Sequence, residues 1–353
     1  MPMKTSFLNE FLERAHIAAA FFVILSGFGM FWGQSTFSPV PSKLRELGPL
    51  RGARVVVGNL LFWYASRLGR LVLATWVTML FAMLLERALY GWIYKSSMAS
   101  CFFFLELWLI ELDDFDAVPS WQRCPNTPAW YIAALIPCWL LFPLFIPVAR
   151  ACKRFPGSFP LWTLLLLLCG VSYLPVLSAL KRNPLPVNLN NYMWYFPPTM
   201  LCDFFAGASV AALAKAHQPS LKSWLALPSG PHRPLHRVLR RLLVSLLVDA
   251  SLLSLGFLLF QPLPEGDDEN ARKQNASLYH LATLPIALFL YGSVASGGLG
   301  LLAALFRWPA FVAIGRYSLH AYLFQMPLAE LYAYIVSAGT KLQAQNENAP
   351  PWR

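Results

Sequence analysis

The chain has 353 residues, of which 57% are hydrophobic, 15% are aromatic and only 13% are charged. Soluble domains contain about 25% charged residues, so this composition excludes an ordinary water-soluble protein. The net charge of +11 could suit nucleic-acid binding, but the basic residues lie between apolar stretches and do not form one face with interleaved aromatic residues. We therefore expect no nucleic-acid partner.

Long apolar stretches predict membrane helices. Residues 158–180 and 278–306 contain no Asp, Glu, Lys or Arg, and about 20 apolar residues suffice to cross a bilayer as a helix. Neither stretch shows the alternation of barrel strands. The sequence thus predicts an all-α, polytopic transmembrane bundle with about eight crossing helices, at residues 16–33, 71–94, 128–149, 158–180, 192–213, 242–260, 278–306 and 315–336.

Charges between these helices predict how the chain is oriented. By the positive-inside rule, basic loops face the cytoplasm. Residues 265–269 are acidic and precede a possible glycosylation acceptor at Asn275, so this loop is expected on the other side. An integral, multi-pass membrane protein follows, with plasma membrane or endomembrane left open. The predicted basic loops contain Lys43, Arg45, Arg51, Arg54, Arg67 and Arg70; Arg150, Lys153 and Arg154; and Lys215, Lys222, Arg233, Arg237, Arg240 and Arg241.

This orientation requires residues 101–112 not to cross the membrane, so we interpret them as a re-entrant segment. The six cysteines have no spacing typical of metal ligands and are expected to be small buried side chains. Cys101 and Cys124 would share the non-cytoplasmic side and could pair. Because a bridge cannot be deduced from sequence, we expect them to remain unpaired, and no metal is predicted.

Two motifs stand near the amino terminus. Phe21 begins FFVILSGF, in which Ser26 and Gly27 would allow close approach of another helix backbone. Further on, Arg67 and Arg70 are three residues apart in RLGR, on one helical face at a predicted membrane entrance. These arginines could hold phosphate groups, or they could only anchor the helix end by snorkelling.

Three further motifs follow later in the chain. A tryptophan, Trp130, opens a helix that continues to Phe142-Pro143. Asp203 begins DFFAGA, and GRYSLHAYLFQMP in the last predicted helix contains His320 and Gln325. Ionisable groups inside a membrane usually line cavities or have partners, so a possible polar cavity is predicted at Asp203, His320 and Gln325. Asp249 has no motif around it, and a structural role is favoured there.

Together these motifs resemble the acyltransferase 3 family of polytopic membrane O-acyltransferases, over nearly the whole chain. The resemblance implies transfer of an acyl group, commonly acetyl, from a cytosolic acyl-CoA to a hydroxyl of a glycan, lipid or small molecule. On that basis Arg67 and Arg70 would bind the phosphates of the donor through charge-assisted hydrogen bonds. No bound cofactor is implied, and the expected partners are membrane lipid, acyl-CoA and the hydroxyl-bearing acceptor.

Departures from the family pattern leave the catalytic residue unknown. The family has an earlier helix with a histidine thought to be the general base, and His16 is no substitute for it. Leu135 and Gln325 stand where the family has an acid and a histidine. We expect residues 1–338 to be an amino-terminally incomplete membrane domain and 339–353 a short, disordered polar tail. A solute transporter or a non-catalytic membrane relative remains an alternative.

Overall fold

The structure is a computed structural model that describes residues 17–34, 37, 49–90, 98–105, 124–180, 197–226, 234–259 and 278–347. Within these ranges all regular elements are helical, which confirms the predicted all-α class. Ten α-helices are described: α1 Ile17–Gln34, α2 Pro49–Tyr90, α3 Met98–Phe102, α4 Trp130–Cys152, α5 Phe159–Leu180, α6 Pro197–Ala226, α7 Pro234–Leu259, α8 Thr283–Ala295, α9 Leu301–Phe306 and α10 Pro309–Glu347.

Several of these helices suit a bilayer. In the described part of the chain, five are long and apolar enough to cross it: Leu50–Leu89, Trp130–Cys152, Pro156–Leu174, Pro198–Ala226 and Leu278–Ala295. A shorter apolar helix covers Ala19–Gln34. The chain is therefore an integral membrane protein of the helical class, as predicted.

The two ends of the bundle differ in chemistry. Helix α4 begins beside Cys124, at what we call the disulfide end, and it finishes next to Lys153, at the basic end. Helix α6 runs parallel to α1, because Gly207 contacts Ile24 and Lys215 reaches Trp32 farther along both helices. Within the described ranges, the long helices α1, α2, α4 to α8 and α10 alternate in direction between these ends.

The predicted helix boundaries were wrong at the basic loops. Helix α2 begins at Pro49, so its arginines are helical and not in a loop. Arginine is a good helix former, and its long stem can lie along apolar surface while the guanidinium reaches polar surroundings. Isolated basic residues therefore do not end these helices. The residues that move from predicted loops into helices are Arg51, Arg54, Arg67 and Arg70 in α2, Arg150 in α4, Lys215 and Lys222 in α6, and Arg237, Arg240 and Arg241 in α7.

The last two predicted helices also differ from the structure. Residues 278–306 do not form one helix, because Gly297, Gly298 and Gly300 have φ values of 76°, 90° and 117° that interrupt it. A new helix, α9, begins after these glycines, and its first backbone amides donate hydrogen bonds to Asp249. Helix α10 continues to Glu347, so residues 339–347 are helical where a disordered exit was expected.

Cys101 and Cys124 form a disulfide, which corrects the expectation that they stay unpaired. Their Cα atoms are 5.8 Å apart although 23 positions separate them in sequence. The fold brings them together: α3 is tied to α2 by a hydrogen bond from Trp76 Nε1 to the Phe102 carbonyl, 2.9 Å long. Both ends of the intervening segment therefore lie at one end of the bundle, while the re-entrant course of residues 101–112 stays a prediction. The course of residues 106–123 lies outside the described residues.

The core forms around α1 and α6, whose backbones touch. A Cβ atom on Gly27 would overlap the carbonyl of Phe204, and one on Gly207 would overlap the carbonyl of Ile24. Beside this contact lies an aromatic core of stacked and edge-on rings, which ties α1, α2, α4 and α6 together. Its members are Phe31, Trp63, Phe142, Phe145 and Phe204.

Candidate functional site

A buried polar cluster joins α5, α6 and α8 near the disulfide end. Asp203 is fully buried, and its Oδ1 accepts hydrogen bonds from Ser172 Oγ at 3.0 Å and Thr283 Oγ1 at 2.9 Å. Ser172 Oγ also lies 2.8 Å from Nδ1 of His280, which is buried just before α8. We call Ser172, Asp203, His280 and Thr283 the polar cluster. Three helices thus place an acid, two hydroxyls and an imidazole in contact.

With Asp203 ionised, the hydrogen-bond inventory of Ser172 sets the direction of this chain of groups. A serine hydroxyl has one proton to donate, and Ser172 gives it to Asp203. The bond between Ser172 and His280 then requires a proton on Nδ1, because the serine oxygen can only accept there. In a neutral imidazole the lone pair is consequently on Nε2. This sequence of carboxylate, hydroxyl and imidazole is an arrangement that can accept a proton.

Asp203 also has an oxygen with unused capacity. Its Oδ2 is buried, and no hydrogen bond to it forms within the structure described. Buried carboxylate oxygens without partners are costly in an apolar environment. The cluster is shared by three candidate membrane spans, with Ser172 in Pro156–Leu174, Asp203 in Pro198–Ala226, and His280 and Thr283 in Leu278–Ala295. Inside a membrane such groups mark functional positions more often than on a soluble protein.

A second group of charged residues gathers at the basic end. Lys153 Nζ lies 5.3 Å from the centre of the Phe31 ring, and Lys215 Nζ lies 4.9 Å from the Trp32 ring and donates to the Trp32 carbonyl. Arg150 donates to the Phe37 carbonyl at 2.6 Å. We call Arg150, Lys153 and Lys215 the basic cluster. It brings cations from α4 and α6 together around the end of α1.

The electrostatics of Lys153 reflect this crowding. Burial lowers the pKa of its amino group, and the neighbouring charges of Lys215 and Arg150 lower that pKa further. Lys215 follows Asp203 by 12 positions on α6, which the helical rise converts to about 18 Å. The basic cluster and the polar cluster are therefore two sites along one helix.

Arg67 and Arg70 lie elsewhere, part-way along α2. Earlier on this helix, Trp63 packs against Phe142. Later on it, towards the disulfide end, Thr78 Oγ1 accepts a hydrogen bond from Asn126. The pair is thus deeper in the bundle than Arg150, which is two turns beyond Phe142 on α4. Arg67 is partly buried and Arg70 is exposed, with its Nε donating to the Ser66 carbonyl at 3.3 Å.

The remaining predicted site residues are not brought to Asp203. His320 and Gln325 are exposed on α10, which packs against α2 through the Phe81 and Phe324 rings. Gly27 lies in the contact of α1 with α6, and Ser26 beside it is partly buried. His16 lies outside the described residues.

The other acid in a predicted membrane helix, Asp249, has a structural position. Its Oδ2 and Oδ1 accept from the backbone amides of Leu301 and Leu302, at 2.8 and 3.2 Å. These amides belong to the first turn of α9, which has no earlier helical carbonyls to bind. Among the described residues, no three His, Cys, Asp or Glu side chains are arranged to hold a metal ion.

Sequence reasoning missed most of both clusters. His280 lies in residues 278–306, which were predicted to be a membrane helix because they contain no Asp, Glu, Lys or Arg. That criterion does not count histidine, so His280 was not predicted as a site residue. An intramembrane histidine is itself a signal of function. The members of the basic cluster were treated as loop charges, and only the fold shows that they converge.

Comparison with protein families decides the identity of the chain. The acyltransferase 3 model, described as an acyltransferase domain, matches residues 3–352. The chain belongs to the acyltransferase 3 family. Comparisons with curated proteins and with solved structures give no match. As a member of this family, the chain is a membrane acyltransferase, and its polar and basic clusters are candidate sites for that chemistry.

Proposed function

We propose that this acyltransferase 3 protein transfers an acyl group, in the simplest case acetyl, from acyl-CoA to a hydroxyl of a glycan, lipid or small molecule. One observation carries the proposal: a membrane acyltransferase has a hydrogen-bonded carboxylate, hydroxyl and imidazole, Asp203, Ser172 and His280, buried between its helices. O-acylation needs a group that accepts the hydroxyl proton, and an oriented imidazole is the commonest such group.

In the proposed reaction, the acceptor oxygen attacks the thioester carbonyl and the carbon–sulfur bond breaks. His280 takes the hydroxyl proton on Nε2 and returns a proton to the leaving sulfur, so an ester and a free thiol result. Ser172 holds the imidazole in the required tautomer. Asp203 stabilises the protonated ring through Ser172, as an oriented carboxylate does in hydrolase triads.

The donor is proposed to approach from the basic end. Two independent features support this orientation: basic residues favour the cytoplasmic side, and the disulfide at the opposite end favours an oxidising compartment. Arg67 and Arg70 lie between these ends, and we propose that they contact the donor from α2. Coenzyme A suits the arrangement because it has phosphates at one end of a long arm and the thioester at the other.

The test measures transfer of labelled acetyl from acetyl-CoA in membranes from cells that express the full chain. His280→Gln should lower transfer by at least about 100-fold, the lower range for loss of a general base. Asp203→Asn should lower it too, because it removes the charge that favours protonated His280. Folded protein is quantified by size-exclusion chromatography of each variant.

Asp249→Asn is the matched control, since Asp249 is also an acid in a helix that the sequence predicts to cross the membrane, but it binds the start of α9. Once corrected for folded protein, its transfer should equal that of the wild type. Wild-type transfer by folded His280→Gln would refute the catalytic assignment, and no transfer to any endogenous glycan, lipid or small molecule by the wild type would refute the activity.

A further inference from the structure

The cations of the basic cluster point inward, where ordinary membrane anchoring does not require them. Lysines that only anchor a helix extend towards the lipid surface. Here Lys153 covers the ring of Phe31, which is fully buried, and Lys215 covers the adjacent Trp32. Cation–π contact with an aromatic ring fixes the direction of an ammonium group. Both ammonium groups are therefore held against the end of α1, and Lys153 lies within electrostatic reach of Lys215 and Arg150.

Burial lowers the pKa of Lys153 most, and repulsion by the like charges of Lys215 and Arg150 lowers that pKa further. An anion between the three side chains would remove the repulsion and gain charge-assisted hydrogen bonds. Arg150 adds a planar group with several donors, which matches the oxygens of a phosphate. The arrangement spans two helices and the end of a third, so it needs the folded bundle to exist.

We infer that Arg150, Lys153 and Lys215 form a binding site for a phosphate group at the basic end of the bundle. The identification of this phosphate as part of the acyl donor rests on the proposed function. The binding of a phosphate group as such does not rest on it. The assignment separates phosphate binding from Arg67 and Arg70, which lie deeper on α2. The phosphate could also come from a lipid headgroup, and the experiment distinguishes the two sources.

The first measurement is calorimetric titration of the purified full chain with coenzyme A and with pantetheine, which lacks the phosphates. Lys153→Gln, Lys215→Gln and Arg150→Gln should each weaken coenzyme A binding by about tenfold, the lower range for one charge-assisted bond. None should alter pantetheine binding. Lys222→Gln is the matched control, a cation on the same helix but outside the cluster, and should bind as the wild type does. Arg70→Gln is titrated in the same way, to measure how much Arg70, in the pair that lies deeper on α2, contributes to coenzyme A binding.

The second measurement identifies the source of the phosphate. The chain is placed in nanodiscs of phosphatidylcholine alone or with phosphatidylglycerol, and coenzyme A is titrated into both. Equal coenzyme A affinity in both kinds of nanodisc identifies the soluble donor as the source of the phosphate. Loss of binding with phosphatidylglycerol, restored by removing that lipid, identifies a lipid headgroup in the same site.

Two outcomes overturn the inference. The first is that all three cluster variants bind coenzyme A with wild-type affinity. The second is that the cluster variants lose affinity for pantetheine and coenzyme A equally, while Lys222→Gln keeps wild-type affinity. Lys153→Arg keeps the charge and should keep the binding, which separates the site from a folding defect. Binding needs no turnover, so an inactive His280→Gln chain that binds coenzyme A normally would leave this inference intact.

Discussion

At the scale of single residues, two glycines decide how closely α1 and α6 approach. Gly27 and Gly207 face the carbonyls of Phe204 and Ile24 with no space for a side chain. Gly29, two positions from Gly27 on the same helix, has open space where its Cβ would be. The same helix therefore contains a test glycine and a control glycine.

Gly27→Ala should lower the stability of the bundle by about 1–3 kcal/mol, the cost of inserting a methyl group into a packed core. Gly29→Ala should be neutral or stabilising by up to about 1 kcal/mol, because alanine favours a helix more than glycine does. Thermal unfolding of both proteins in one detergent compares them. Equal melting temperatures would show that α1 and α6 do not need this contact.

Single residues also show where sequence reasoning succeeded. It selected Gly27 and Asp203, because a small pair in a bulky helix and an acid in an apolar run are visible as local exceptions. Ser172 and Thr283 are ordinary residues in apolar helices and His280 is a rarer one, but their contact depends on three helices that are distant in sequence. The pattern of residues along one helix therefore cannot predict that these three side chains come into contact.

At the scale of elements, the disulfide fastens α3 to the start of α4. Replacing Cys101 and Cys124 by serine should lower stability by about 2–4 kcal/mol, because the closed loop then gains freedom in the unfolded chain. Thermal unfolding is measured with and without reductant. Reductant should bring the wild type to the melting temperature of the double variant and leave the variant unchanged. Cys152→Ser is the control, since Cys152 is a free thiol.

The elements themselves were predictable by type but not by extent. Apolar stretches identified most of the long helices, whereas the re-entrant course expected of residues 101–112 stays a prediction, because residues 106–112 lie outside the described part of the chain. Helix α2 ran 22 residues farther towards the amino terminus than predicted, from position 71 to Pro49, because charge was read as a helix boundary. Positive φ at three glycines divided residues 278–306, where composition gave no sign of a break.

At the scale of the whole molecule, the two ends of the bundle should face different compartments. Ser223 is exposed beyond Lys215 on α6, and Tyr332 is exposed on α10 beyond the disulfide end. In a background with Cys138, Cys152, Cys169 and Cys202 replaced by alanine, we expect an impermeant maleimide to label Tyr332→Cys on intact cells or sealed, lumen-out vesicles. Ser223→Cys should react only after permeabilisation. The reverse pattern would invert the orientation proposed for the donor.

The close backbone approach at Gly27 and Gly207 has a steric consequence for the proposed reaction. The contacts of Gly27 with Phe204 and of Gly207 with Ile24 leave no space for even a methyl group between α1 and α6. The arm of the proposed donor is wider than a methyl group, so it cannot pass between these two helices. On its way from the level of Lys215 to that of Asp203, the arm must therefore run along another face of α6.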